Sequence, residues 1–86
     1  MPGRYRRRMP RVWDVPKDVR TVHLCSCTPM HAAEIGELLD EAGIVWWEKP
    51  PNAGLLAFLE RESQVFVDRE RLDEARAIAQ QVLQEA

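Results

Sequence analysis

Four side chains in the first third of the chain are of kinds that bind soft metal ions: His23, Cys25, Cys27 and His31. They stand in the pattern H-x-C-x-C-x3-H. On a strand, residues two apart point to the same face, so His23, Cys25 and Cys27 would line one side, with His31 close by at the start of the next element. Two thiolates and one or two imidazoles could then converge on zinc or copper(I). The spacing departs from the usual zinc arrangement, in which paired cysteines are separated by two to four residues. The alternative needs no cofactor: both cysteines are small, half-buried core residues and the histidines are incidental. A Cys25–Cys27 disulfide would sit near the limit of bridging geometry.

A second group has nucleic-acid chemistry. Arg4, Arg6, Arg7, Arg8 and Arg11 are interleaved with Tyr5 and Trp13, a mixture in which guanidinium groups neutralise phosphates while rings stack on exposed bases. Residues 1–20 carry a net charge of about +5 and the remaining 66 residues about −7, within a total of −2. A basic arm on an acidic domain follows. The acidic domain would repel a polyanion, so a solvated tail, or an arm that reaches an acidic protein surface, competes with RNA or ribosome binding. Enzymatic chemistry finds no support: Ser26, Ser63 and the histidines lack a nucleophile–base spacing, and no glycine-rich phosphate loop is present. The expected class is non-enzymatic.

Trp46 and Trp47 are adjacent, so on a strand they face opposite sides. One belongs in the core. The other, with Leu55, Leu56, Phe58 and Leu59 close behind it in sequence, would form an apolar patch suited to a protein partner or a second copy. The expected docking surface is therefore the open sheet face together with the loop over residues 50–63.

The elements that must position these groups can be read from periodicity. Residues 20–27 (RTVHLCSC) alternate, with Val22, Leu24 and Ser26 on one face and Thr21, His23, Cys25 and Cys27 on the other. Thr28 and Pro29 then suit the N-cap and first position of a helix. Ala32, Ile35, Leu38, Leu39 and Ala42 form its apolar stripe, opposite Glu34, Glu37, Asp40 and Glu41. Gly36 inside it gives up roughly 1 kcal/mol of helix propensity relative to Ala, which points to something packing closely there. Gly43 ends the helix. Residues 44–49 (IVWWEK) make a second strand, stopped by Pro50 and Pro51, and residues 64–67 (QVFV) a third. A last helix from about Glu70 to Gln84 is expected to bury Leu72, Ala75, Ile78, Ala79, Val82 and Leu83, with acidic residues in its first turns.

The order strand, helix, strand, strand, helix, with parallel first and second strands joined by a helical crossover, is that of an α+β, ferredoxin-like two-layer sandwich lacking its last strand. The domain occupies residues 20–86 behind an arm over residues 1–19. Arg11–Val15, with Trp13 seeking a surface, would fill part of the missing strand. Eighty-six residues allow one small core. With 45% apolar and 30% charged residues, no apolar run of membrane-spanning length and no apolar stretch behind the charged start, a globular cytoplasmic protein without a membrane partner is expected.

Two stretches resemble a family of small prokaryotic proteins assigned to signal transduction and of unknown molecular function. One is Ala32-Ala33-Glu34-Ile35 after a strand, continuing to Leu38-Leu39-Asp40-Glu41-Ala42-Gly43-Ile44. The other is Val65-Phe66-Val67 followed by Leu72-Asp73-Glu74-Ala75-Arg76. Together they span roughly residues 21–83. The resemblance implies a ferredoxin-like or nitrogen-regulator-like domain with a regulatory or binding role, and it carries over no catalytic residues. The basic arm and the Cys25/Cys27 pair depart from the family pattern.

Overall fold

The computed structural model describes Val12, residues 15–51 and residues 62–84; Arg4, Arg6, Arg7, Arg8, Arg11, Trp13 and the run Leu55, Leu56, Phe58 and Leu59 lie outside the described residues. In chain order the elements are strand β1 (Thr21–Cys27), helix α1 (Pro29–Glu41), strand β2 (Trp46–Lys49), strand β3 (Ser63–Asp68), a 3₁₀ turn (Arg69–Arg71) and helix α2 (Leu72–Gln84). The sheet runs β1-β3-β2. Both outer strands are antiparallel to β3, so β1 and β2 are parallel to each other with β3 between them.

The ends of α1 are set by its own sequence. Thr28 is extended, and its hydroxyl accepts the backbone N–H of His31. At the far end Gly43 takes φ +74°, its N–H bonds the carbonyl of Asp40, and the N–H of Ile44 bonds that of Leu39. This pair of bonds is the Schellman arrangement that a left-handed glycine permits. It draws Ile44 into the core, so β2 starts at Trp46, two residues later than alternation suggests. No basic residue occupies the last turn of α1; the guanidinium of Arg71 donates instead to the carbonyl of Ala42 at 3.2 Å and pairs with Glu74 at 2.6 Å, joining the end of α1 to the start of α2.

Both helices lie on one face of the sheet. Ala32, Ile35 and Leu39 of α1, Ala75, Ala79 and Val82 of α2, and Cys27, Ile44, Trp46, Val65 and Val67 form one buried cluster, with Leu24, Cys25, Leu38, Ala42, Leu72 and Ile78 packed around it. Leu83, expected inside, is exposed, because Val82 takes the inward position at that turn and the next residue is rotated about 100° away. Of the stretch Arg11–Val15 only Val12 and Val15 are described: the N–H of Val15 bonds the carbonyl of Val12, and Val12 is exposed; the rest of that expectation lies outside the described residues.

The close approach expected at Gly36 is to Trp46. A Cβ at Gly36 would fall far inside van der Waals contact with Cη2 and Cζ2 of the indole, while Trp46 Nε1 donates to Asp40 Oδ1 at 3.0 Å one turn further along. Alanine at position 36 gains about 1 kcal/mol of helix propensity but overpacks a rigid ring, which typically costs about 1–3 kcal/mol. Gly36→Ala is therefore expected to lower the urea midpoint, and Trp46→Leu in the Gly36→Ala background to be less damaging than in the native one. Additive effects of the two substitutions would show that the contact does not limit this site.

Candidate functional site

One irregularity decides which side chains meet. Along β1 and β3 the paired residues are Val22 with Val67, His23 with Phe66, Cys25 with Val65, and Cys27 with Ser63, so Leu24 is an extra residue in a bulge. A bulge opposes two residues to one and reverses the phase of alternation beyond it. Directly paired residues share a face. Thr21 and His23 therefore lie on the face away from the helices, whereas Cys25 and Cys27 turn in, and Leu24 packs beside the core with them. The expectation that His23 shares a face with the two cysteines is thus corrected. His31 is held locally, its Nδ1 3.1 Å from Thr28 Oγ1. The four residues His23, Cys25, Cys27 and His31 are not brought together, and among the described residues no three His, Cys, Asp or Glu side chains are grouped to hold a metal ion.

On the open face the bulge assembles an aromatic row across all three strands. Phe66, on the central strand, stacks on Trp47 with ring centres 4.3 Å apart and planes inclined by 8°. On its other side His23 meets it edge-on at 5.5 Å and 76°. The indole of Trp47 reaches across β3, and its Nε1 donates to Thr21 Oγ1 on β1 at 2.9 Å. Phe66 and Trp47 are half-buried and His23 is exposed. The expectation that one tryptophan enters the core and the other lies on the opposite face is met: Trp46 is 5% exposed and inside, Trp47 outside. Phe66 and His23 were not expected as neighbours of Trp47; strict alternation of β3 would have found Phe66, but the bulge hid His23.

The bulge also brings His23 Nε2 within 3.1 Å of Ser26 Oγ, a contact that unbroken alternation excludes. It is a local, exposed pair three residues apart. Among the described residues no carboxylate orients the ring from its second nitrogen, as a nucleophile–base pair requires. An open polar cleft at the Thr21 end of the sheet is lined by Asp18, Val19, Arg20, Asp68, Arg69 and Glu70, with charges of both signs.

Beneath the sheet the polar groups are buried. Cys27 is buried and Cys25 half-buried; burial pushes both thiols up, and for Cys27 the neighbouring Cys25, Glu48 and Glu62 add to the effect, carrying it to about 12. Such thiols are poor nucleophiles. Glu48 is 5% exposed and Ser63 fully buried, and among the described residues neither Glu48 Oε1 nor Ser63 Oγ has a hydrogen-bond partner. Alternation places Glu48 inside because Trp46, two residues before it, must be inside. Compared with family models, curated proteins and solved structures, the chain matches none.

Two outcomes follow. Methionine of similar size keeps the apolar packing and removes an oxygen, Glu48 Oε1, that is buried without a hydrogen-bond partner among the described residues, so Glu48→Met is expected to raise stability by roughly 1–3 kcal/mol in urea unfolding; a loss would mean that Glu48 is held by a partner group. For Cys27 the folded thiol lies above the ordinary 9.0 of the unfolded chain. The stability it contributes is fully present below that ordinary value and is lost as pH rises toward the folded one. Folded protein should accordingly resist alkylation at Cys27 near neutral pH and react in denaturant. Fast modification of Cys27 in the native state would contradict this placement.

Proposed function

We propose that this chain is a non-enzymatic regulatory or accessory binding module, a ferredoxin-like sandwich lacking its last strand and akin to the small signal-transducing proteins it resembles, which docks a partner protein through the open face of its sheet. The observation that supports this is the row His23–Phe66–Trp47, which no helix or strand among the described residues covers. Both helices pack on the other face. Aromatic side chains at the centre of a patch, with polar groups around them, are the composition of binding hot spots. Thr21, Ser26, Gln64 and Lys49 supply that surround: Ser26 pairs with Gln64, Gln64 with Lys49, and none of these sits on the helix side. The rings are carried on paired strands and held by stacking, which limits the ordering entropy lost on docking.

Nucleic-acid binding is the competing reading, and its chemistry differs. The phosphate contacts would come from Arg4, Arg6, Arg7, Arg8 and Arg11, and the affinity would fall steeply with salt. The open face is a weaker platform for bases because Phe66 and Trp47 already stack on each other.

Capture from native lysate, with the full chain, a Phe66→Ser variant and a chain lacking residues 1–11, separates the two. Under the proposed reading a specific protein is retained by the arm-deleted chain and lost at least about ten-fold with Phe66→Ser, the weight of one hot-spot ring, while circular dichroism confirms the fold. Capture of RNA that needs the arm and disappears with salt would overturn it.

A further inference from the structure

The open cleft at the Thr21 end of the sheet has a volume of about 430 Å³ and is lined by Asp18, Val19, Arg20, Asp68, Arg69 and Glu70. Two stretches distant in sequence meet there. One step beyond the Thr21–Asp68 pair, the N–H of Arg69 donates to the carbonyl of Arg20 at 2.8 Å, so the two arginines are opposed at the ends of β1 and β3. Asp18 stands on the turn in which the N–H of Val19 bonds the carbonyl of Pro16. On the other side Asp68 Oδ1 accepts the N–H of Glu70 at 2.9 Å, fixing the bend that carries Glu70 to the cleft. Like charges directly opposite each other across a strand pair are destabilising. Arg71 is neutralised by Glu74, whereas among the described residues neither Arg20 nor Arg69 has a carboxylate within ion-pair distance. Two guanidinium groups and three carboxylates therefore line one space without pairing with one another.

We infer that this cleft binds a small zwitterion of the class of the free α-amino acids, its carboxylate between Arg20 and Arg69 and its ammonium group on Asp18 and Glu70. The mixture of charges selects the ligand. A simple anion would meet three carboxylates, and a simple cation two guanidinium groups; a molecule that carries both charges meets each with its opposite. Opposed residues on paired strands have Cβ atoms about 5 Å apart, so both guanidinium groups reach a single carboxylate, whose two oxygens match their planar donors. The volume lies in the range of small-molecule sites. Val19 is the one apolar residue in the lining, which suits a ligand that is polar throughout.

Asp18, Arg20, Arg69 and Glu70 are exposed, so water screens each contact and the affinity is modest, with a Kd of about a millimolar. The cleft adjoins the aromatic row. Thr21 pairs with Asp68 and accepts the indole N–H of Trp47. The inference does not depend on the open face being a docking surface, because no residue of the cleft belongs to the row.

The test is a titration of the full chain with L-serine near neutral pH, followed through backbone amide and arginine side-chain signals in NMR spectra. Saturable shifts are expected at Val19, Arg20, Arg69 and Glu70. N-acetyl-L-serine, which lacks the ammonium charge, and L-serinamide, which lacks the carboxylate, should each bind about five-fold more weakly, the weight of one exposed ion pair. Arg69→Gln and Asp18→Asn should weaken L-serine binding by a similar factor, Arg69→Gln without effect on L-serinamide and Asp18→Asn without effect on N-acetyl-L-serine. All these positions are exposed, and the amide spectrum of each variant confirms the fold. Glu34→Gln, exposed on α1, should change nothing. The inference is overturned if no saturable shift appears up to about 50 mM, far above the expected Kd. Binding of N-acetyl-L-serine or inorganic phosphate as tight as that of L-serine would mark an anion site and overturn it too, as would equal binding of L-serinamide or shifts that the cleft variants leave unchanged.

Discussion

The packing of Trp46 against Gly36 is the contact on which the arrangement of layers depends. A tryptophan on the inner face of an edge strand is too large to fit under a helix that carries a side chain at the crossing point. The missing Cβ of Gly36 removes that obstacle, and the helix comes down onto the ring. The indole N–H, which would be expensive to bury unpaired, finds Asp40 Oδ1 on the rim of the same helix. Once α1 is seated, the Schellman turn at Gly43 fixes where the chain re-enters the sheet, and Trp46 inside requires Trp47 outside. The outer aromatic row is in this sense a consequence of the inner contact. The same parity carries Glu48 inward, where its Oε1 has no hydrogen-bond partner among the described residues.

The bulge at Leu24 plays the corresponding part on the opposite strand. A strand of unbroken alternation would put His23, Cys25 and Cys27 together and offer a metal three ligands from one face. The additional residue sends the thiols into the core and leaves the imidazole outside. Each environment then suits what it receives. Buried thiols with raised proton affinity behave as small apolar side chains, whereas His23 stands beside Phe66 and Ser26 on the open face. Bulges commonly re-aim a side chain where a surface has work to do.

Among the described residues the rings of His23, Phe66 and Trp47 gather on one sheet face, and an open polar cleft lies at the Thr21 end of the sheet. The charge is divided along the chain as well. A basic N-terminal stretch stands before an acidic remainder, and such asymmetry sets the sign of the field at each part of the chain.

Local physics was enough to determine the order of elements, the caps of α1, the inward stripe of each helix apart from Leu83, and the division of the two tryptophans. Each depends on periods of 3.6 or 2 and on conformations that Thr, Pro and Gly take within a few residues. The sequence also marked Gly36 as a place of close approach without saying what approaches. Tertiary structure decided the rest. The bulge at Leu24 arises from pairing with β3, 40 residues away, and no pattern within β1 announces it; because side-chain direction has a period of two, that one residue moved His23 away from the cysteines and dissolved the ligand set. The order β1-β3-β2 placed Phe66 between His23 and Trp47, joining three rings from three separate stretches of sequence. Among the described residues it also left β1 at an edge, a property that belongs to the sheet and to no residue in it.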